Sequence, residues 1–243
     1  MCGFTFIHDN KIEKKEVELS LSSITHRGPD DIELIQSEKA WLGFARLAIM
    51  DLSHQGDQPF YHNQTYFMCN GEIYNFKSLE SSLEFDYKSS SDCEVLIPLF
   101  EQIGMPAMLA KLDGEFAFVI YDEKTERVFA ARDAMGIRPL FYGKTKNDKI
   151  AFASEVKALQ DFCTEVKAFP PGHYYEDGEI KKYIDLAVVE QYLDDDLETV
   201  TTNIRDLLID GVTKRLCADA PVGFLLSGGL DSSILVWEMA RQH

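Results

Sequence analysis

Short apolar runs, each closed by glycine, asparagine or aspartate, fill the first three quarters of the chain. "YFMCNGEIYN", "GEFAFVIYD", "RVFAARD", "PLFYGKT" and "KIAFASE" are brief and rich in aromatic and β-branched residues, a composition that suits a pleated surface. Their number predicts stacked β-sheets. Between them, "SDCEVLIPLFEQIG" changes period: Val95, Leu96, Leu99, Phe100 and Ile103 share one helical face, and Ser91 or Asp92 is placed to cap it. Pro98 removes one backbone donor there and is expected to bend or tighten the first turns.

Near "VVEQYLDDDLETV" the texture shifts to an acidic run, Asp194, Asp195, Asp196 and Glu198, which marks a solvated linker or a helix start. Beyond it Val200, Ile204, Leu207, Leu208, Val212 and Leu216 recur at helical spacing, "APVGFLL" reads as a short strand, and "SGGLDSS" as a glycine loop opening a further helix. Strand, glycine loop and helix in that order begin a nucleotide-binding α/β domain. The expected division is 1–185, a linker at 186–197, and a second domain from 198 to 243.

Hydrophobic residues make up 45% of the 243 positions and charged ones 27%, the proportions of a folded chain with a sizeable core. The 41 acidic against 24 basic side chains leave a net charge of −17. Such a surface repels a phosphate backbone or an anionic membrane, so neither nucleic acid nor membrane is an expected partner. No apolar run approaches the ~20 residues that span a bilayer, and the N-terminus lacks a signal-peptide pattern; the expected location is the cytoplasm. The five cysteines, Cys2, Cys69, Cys93, Cys163 and Cys217, contain no CxxC pair, which fits neither a disulfide framework nor a zinc site.

Cys2 stands apart by its position. Removal of Met1 would leave one residue carrying both a thiol and a free α-amine, and an amine with a reference pKa of about 7.7 to 8.0 can act as base near neutral pH. Taken alone, Cys2 reads more readily as an early strand residue and Asn70-Gly71 as a hairpin turn. At the other end, Gly228 and Gly229 allow unusual dihedrals, Ser227, Ser232 and Ser233 offer hydroxyls, and backbone N–H groups precede a helix; together they suit a pyrophosphate. Asp231 suits Mg2+. No lysine follows the glycines, so this is not the Walker pattern.

In chain order, Cys2-Gly3, "HRGPD", "ARLAIMD", "CNGEIYN", "SSDCEV", "DGEFAFVIYD" and "RDAMGIRPLFYG" resemble the glutaminase domain of the glutamine amidotransferases that use an N-terminal nucleophile. "SEVKAL", "FPPGHYY" and "LLSGGLDSS" narrow the resemblance to the glutamine-hydrolysing asparagine synthetases. It implies an α+β fold, an N-terminal-nucleophile hydrolase αββα sandwich of two antiparallel sheets, followed by the first elements of an α/β ATP-pyrophosphatase domain. It makes Cys2 the nucleophile that forms a γ-glutamyl thioester, and the Asn70 side-chain amide with the Gly71 N–H its oxyanion donors. Arg46 would take the α-carboxylate of glutamine and Asp92 its ammonium, with Leu47, Ile49, Met50 and Glu72 lining the pocket. "HRGPD" and "RDAMGIRPLFYG" are expected to shape loops around this site, without an assigned chemical step.

For the second domain the resemblance implies ATP and Mg2+ at Leu226, Ser227, Gly228, Gly229, Asp231, Ser232 and Ser233, with aspartate as the carboxylate adenylated; glutamine hydrolysis needs no cofactor. One strand and one incomplete helix cannot bury a doubly wound sheet, so the chain is expected to be part of a larger enzyme, with a second copy or the rest of the synthetase as its protein partner. An amidotransferase acting on another carboxylate is the alternative, and a non-catalytic binding fragment is another. Sugar-phosphate and phosphoribosyl amidotransferases lack "SGGLDSS", and β-lactam synthetases typically lack the cysteine.

Overall fold

The computed structural model describes residues 1–189 and 191–242, so Glu190 of the expected linker and the terminal His243 lie outside the described residues. The chain forms two compact units, Met1–Leu186 and Ala187–His243. The first opens with β1 (Gly3–Ile7), α1 (Lys14–Ser22), β2 (Asp31–Gln36) and β3 (Trp41–Arg46). Next come β4 (Phe60–His62), β5 (Thr65–Ile73), α2 (Phe76–Ser82), α3 (Leu96–Ile103) and α4 (Met105–Leu109). It finishes with β6 (Gly114–Asp122), β7 (Arg127–Arg132), β8 (Phe141–Thr145), β9 (Ile150–Ala153), β10 (Cys163–Ala168), β11 (His173–Glu176) and β12 (Glu179–Lys182).

Two six-stranded sheets result, ordered β10-β8-β9-β1-β3-β2 and β12-β11-β7-β6-β5-β4, and every ladder is antiparallel. Side chains alternate between the two faces of each strand, and the burial follows that period. Phe4, Phe6, Leu42, Phe44, Met68, Ala117, Val119 and Phe152 fill the space between the sheets. Their odd or even neighbours point outward: Ile7 and Ala45 pack under α1 with Val17 and Leu21, while Phe67, Cys69, Ile73, Phe116 and Phe118 pack under α2, α3 and α4. Helix, sheet, sheet and helix layers therefore make the expected αββα sandwich of two antiparallel sheets.

Two local readings of the sequence change. The helix expected from Ser91 begins as a 3-10 turn over Asp92–Val95, and only then becomes α3, with Pro98 in its first turn where a missing N–H breaks no intrahelical bond. The tighter turn rotates the face, so Ile97 is buried and Ile103 is 38% exposed. "NG" is not a hairpin turn: Asn70 and Gly71 lie inside β5, opposite Ala117 and Phe116 of β6.

The second unit contains α5 (Leu197–Lys214) and α6 (Leu230–Gln242). Asp196, from the acidic run, caps α5 by accepting the Thr199 N–H at 2.8 Å, and Thr213 donates to Gln242 at 2.9 Å between the two helices. The "APVGFLL" run is not a strand. A strand exists only when its backbone pairs with another, and among the described residues of this unit no second strand is present.

Candidate active site

The alternation that builds the core also builds the site. Continuing the inward-facing positions to one end of the sandwich gives Cys2 before Phe4 on β1, Arg46 after Phe44 on β3, Asn70 and Glu72 after Met68 on β5, and Glu115 before Ala117 on β6. Here the apolar filling between the sheets gives way to a polar cluster. Cys2, Arg46, Leu47, Ile49, Met50, Gly71, Glu72 and Asp92 line one cavity together with Gly56, Gln58, Cys69, Ser91 and Cys93.

Cys2 is half-buried. Its Sγ accepts the Leu47 N–H at 3.3 Å and faces the Leu47 carbonyl at 3.5 Å. Burial pushes the thiol pKa up, against the Leu47 N–H and the amino terminus, which favour the thiolate. The N-terminal ammonium, here on Met1, moves the other way: burial lowers its pKa, and Arg138 and Arg27 lower it further. Arg27 also fixes the backbone, its Nε donating to the Cys2 carbonyl at 2.9 Å while Nη1 pairs with Glu155 at 3.1 Å. Gly28 of the same "HRGPD" run rests on β3, and a Cβ there would lie 2.1 Å from the Ala45 carbonyl oxygen.

Asn70 is buried, and its Nδ2 has no hydrogen-bond partner among the described residues. A buried amide donor left unsatisfied is costly, and such a group calls for an explanation. Gly71 is required sterically: a Cβ would sit 2.5 Å from the Glu115 carbonyl oxygen and 2.8 Å from the Phe116 Cα.

Arg46 differs from its expected free fork. Nη1 donates to the Ser53 carbonyl at 2.7 Å and to Asp57 at 2.5 Å, and Nη2 donates to the Met50 carbonyl at 3.3 Å and to that of Asp51. The guanidinium thus gathers the 50–57 segment around itself. Asp92 is buried, and it does not simply cap the helix: its carboxylate accepts the Ile73 N–H at 2.6 Å, tying the turn before α3 to the end of β5. Burial raises the pKa of Glu72 to about 8, reinforced by Asp92, and burial raises Asp92 to about 6 against its backbone N–H bonds. Two carboxyls held this way invite a cation between them.

Three contributors were not singled out from the sequence. Gln58 braces the cavity wall, accepting the Cys69 N–H at 2.7 Å and donating to its carbonyl at 3.3 Å. Glu115 lies opposite Glu72 in the β5–β6 register, and Arg138 pairs with Glu115 at 2.8 Å. The inward parity of "GEFAF" was the available signal for Glu115; for Gln58 there was none.

The glycine loop lies in the other unit. Gly228 has φ +81 with open space around it, the Ser227 and Ser232 hydroxyls bond each other at 2.8 Å, and Ser233 donates to the Gly229 carbonyl at 2.7 Å. Asp231 sits in the first turn of α6, and Leu226 is exposed before the loop. A left-handed glycine, three hydroxyls and a helix N-terminus fit a pyrophosphate in chemistry, and a single carboxylate fits Mg2+ that takes its other ligands from phosphate and water.

A sandwich of this layering, with a cysteine at the second position and a buried, unpartnered asparagine amide facing the same inter-sheet space, defines a glutamine amidotransferase domain. Residues 1–208 match the glutamine amidotransferase domain family, to which the chain belongs, and residues 203–243 match the asparagine synthase family. A probable glutamine-hydrolysing asparagine synthetase of Acanthamoeba polyphaga mimivirus is 38% identical over 97% of this chain and 48% of its own length. Asparagine synthetase B of Escherichia coli is 38% identical over 97% and 44%, and asparagine synthetase 3 of Arabidopsis thaliana 40% over 100% and 43%. The chain spans about half the length of these curated relatives. Among solved structures, glutamine phosphoribosylpyrophosphate amidotransferase from B. subtilis superposes with a TM-score of 0.66 at 18% identity, covering 99% of this chain and 64% of that one; at that identity the likeness is one of fold. No helix among the described residues is long and apolar enough to cross a membrane.

Proposed function

We propose that this chain hydrolyses glutamine to glutamate and ammonia through a thioester on Cys2. In the whole protein the ammonia would convert aspartate to asparagine. The observation that carries the reading is the Cys2 thiol in one cavity with the Glu72 and Asp92 carboxyls and Gly71, while the buried, unpartnered Asn70 amide faces the same inter-sheet space from the opposite sheet.

The residues divide the chemistry. After Met1 is removed, the Cys2 α-amine would succeed the Met1 amine, whose pKa burial lowers, with Arg138 and Arg27 acting the same way; an α-amine with a reference pKa of about 7.7 to 8.0 can serve as base near neutral pH. It takes the thiol proton as Sγ attacks the side-chain carbonyl carbon of glutamine, and hands a proton to the departing ammonia. Asn70 Nδ2 and the Gly71 N–H receive the oxyanion. Water then cleaves the thioester, releasing glutamate and restoring the thiol. Asp92 and Glu72 hold the substrate ammonium. The empty cavity is about 30 Å3, room for a water or two, so glutamine enters only as the 47–57 segment yields. Its α-carboxylate would then replace part of the carbonyl set now held by Arg46.

For the synthetase half, Leu226, Ser227, Gly228, Gly229, Ser232 and Ser233 would hold ATP and Asp231 its Mg2+, which supplies activation of the aspartate β-carboxylate as an acyl-adenylate. Aspartate recognition is assigned to the length the relatives have and this chain lacks. The exposed Leu207, Leu226 and Trp237 support burial of this unit against that remainder or a second copy. Five free cysteines support a reducing compartment, the cytoplasm.

Mass spectrometry for loss of Met1, followed by glutamate release from glutamine by the processed chain and by Cys2→Ala, tests the reading. Release by the first and none by the second is expected. Equal rates, or no release by the correctly processed chain, would remove the glutaminase assignment.

A further inference from the structure

The "RDAMGIRPL" run has no step in that chemistry, yet it is among the most heavily braced loops of the molecule. The Asp133 carboxylate accepts the N–H groups of Met135 at 3.1 Å, Ile137 at 2.9 Å, Arg138 at 3.0 Å and Phe116 at 3.3 Å. The Arg132 guanidinium donates to the carbonyls of Gly136, Arg138 and Phe169, each at 2.7 Å. What this bracing delivers is one side chain. Arg138 is buried, its Nη2 lies 2.8 Å from Glu115, and its Nε–H has no hydrogen-bond partner among the described residues.

Glu115 and Glu72 are directly opposite in the β5–β6 ladder and face the same inter-sheet space, where like charges repel at a Cβ separation of about 5 Å. Asp92 adds a third carboxyl. Only Glu72 and Asp92 line the cavity; Glu115 does not. An ion pair between Arg138 and Glu115 neutralises the acid that cannot touch a ligand, and leaves the two that can.

We infer that Arg138 is a positioning residue of the glutamine site: paired with Glu115 behind β5, it keeps Glu72 available as an ionised partner of Asp92 for the substrate α-ammonium. The inference rests on the glutaminase reading and adds a specificity device to it. Without Arg138, Glu72 would face Glu115 and Asp92 with only the amino terminus as a counter-charge and would take up a proton more readily, leaving Asp92 alone to hold the ammonium. Without the Glu115 charge, Arg138 would act on Glu72 alone and ionise it more readily. The groups facing Glu72 are Asp92 from the turn before α3, Glu115 from β6, Arg138 from the loop after β7, and the amino terminus with the Cys2 thiol from the start of β1; the Cys93 thiol lies in the same field.

The test compares kcat/KM for glutamine with that for glutaramate, which has the same carboxamide and no α-ammonium, from pH 5.5 to 9. Their ratio cancels effects on the thiol and the amine and reads only the ammonium subsite. In the wild-type chain the ratio should rise with pH as Glu72 ionises. In Arg138→Gln the rise should move to higher pH, with the ratio at pH 7 falling about tenfold for each pH unit of displacement; Arg138→Lys should restore most of it. In Glu115→Gln the rise should move to lower pH, a direction that damage to the fold does not produce. Displacement of both variants in the same direction, or no displacement in either, would overturn the inference. If Arg138→Gln does not fold, Glu115→Gln decides alone: a shift to lower pH supports the inference, and an unchanged or raised midpoint refutes it. Failure of the processed wild-type chain to release glutamate would instead overturn the underlying glutaminase reading, and this inference with it.

Discussion

Asn70→Ala separates stability from activity more sharply than any other change at this site. The side chain is 1% exposed and its Nδ2 lacks a partner among the described residues. An unsatisfied buried donor costs about 1–3 kcal/mol in the folded state, and truncation to alanine removes that cost. The same truncation opens a void, and at ~24 cal/mol per Å3 a gap of a few tens of Å3 costs on the order of 1 kcal/mol. The two changes oppose each other, so the unfolding free energy should stay within about 1 kcal/mol of wild type. Catalysis has no such offset. Loss of one oxyanion donor costs roughly 3 kcal/mol of transition-state stabilisation, a fall of about a hundredfold or more in kcat. Urea denaturation followed by tryptophan fluorescence gives the first quantity and glutamate release the second. A variant destabilised by more than about 2 kcal/mol with kcat intact would show that the amide is structural, and the oxyanion assignment would fall.

Gly28→Ala is expected to be among the most damaging single methyl additions, because the new Cβ would lie 2.1 Å from the Ala45 oxygen and 2.5 Å from the Arg46 nitrogen. Backbone atoms cannot turn aside, so the end of β3 must shift at a cost of about 3 kcal/mol; an unchanged melting temperature in calorimetry would contradict this. Arg46→Ala should raise KM for glutamine and, by releasing four contacts in the 50–57 segment, should speed proteolysis there. Unaltered KM and unaltered digestion together would remove Arg46 from the site. In the intact chain, limited digestion with proteinase K, which has little sequence preference, should cut first between residues 191 and 196, where side chains are exposed and no helix or strand is formed; first cleavage inside the sandwich would count against two separate units.

Several features followed from local chemistry and needed no coordinates. The period-2 runs became β5 to β9, because alternation depends only on neighbouring residues and on which face is wet. Cys2, Asn70, Gly71 and Asp92 could be picked out in order, since each belongs to a short contiguous motif. Asp196 as a helix cap is likewise a matter of one side chain and the N–H three residues on.

Other features depend on what lies across the molecule. "APVGFLL" has the composition of a strand and is none, because pairing is a property of two segments. Arg46 carries a fork suited to a carboxylate, yet in the folded chain that fork gathers the 50–57 carbonyls, which no reading of residue 46 alone reveals. The Glu72–Glu115–Arg138 arrangement is the clearest case. It joins a position on β5 to its ladder partner more than 40 residues on, and both to a loop beyond β7, so it appears only when the register of the sheet is set. The order of residues along the chain was enough to name the candidate residues and most of the elements of the first unit. Which carboxyls share a field, which guanidinium is already engaged and which amide is left unpaired were decided by packing, since electrostatic and hydrogen-bond energies depend on distance through space and not on distance along the chain.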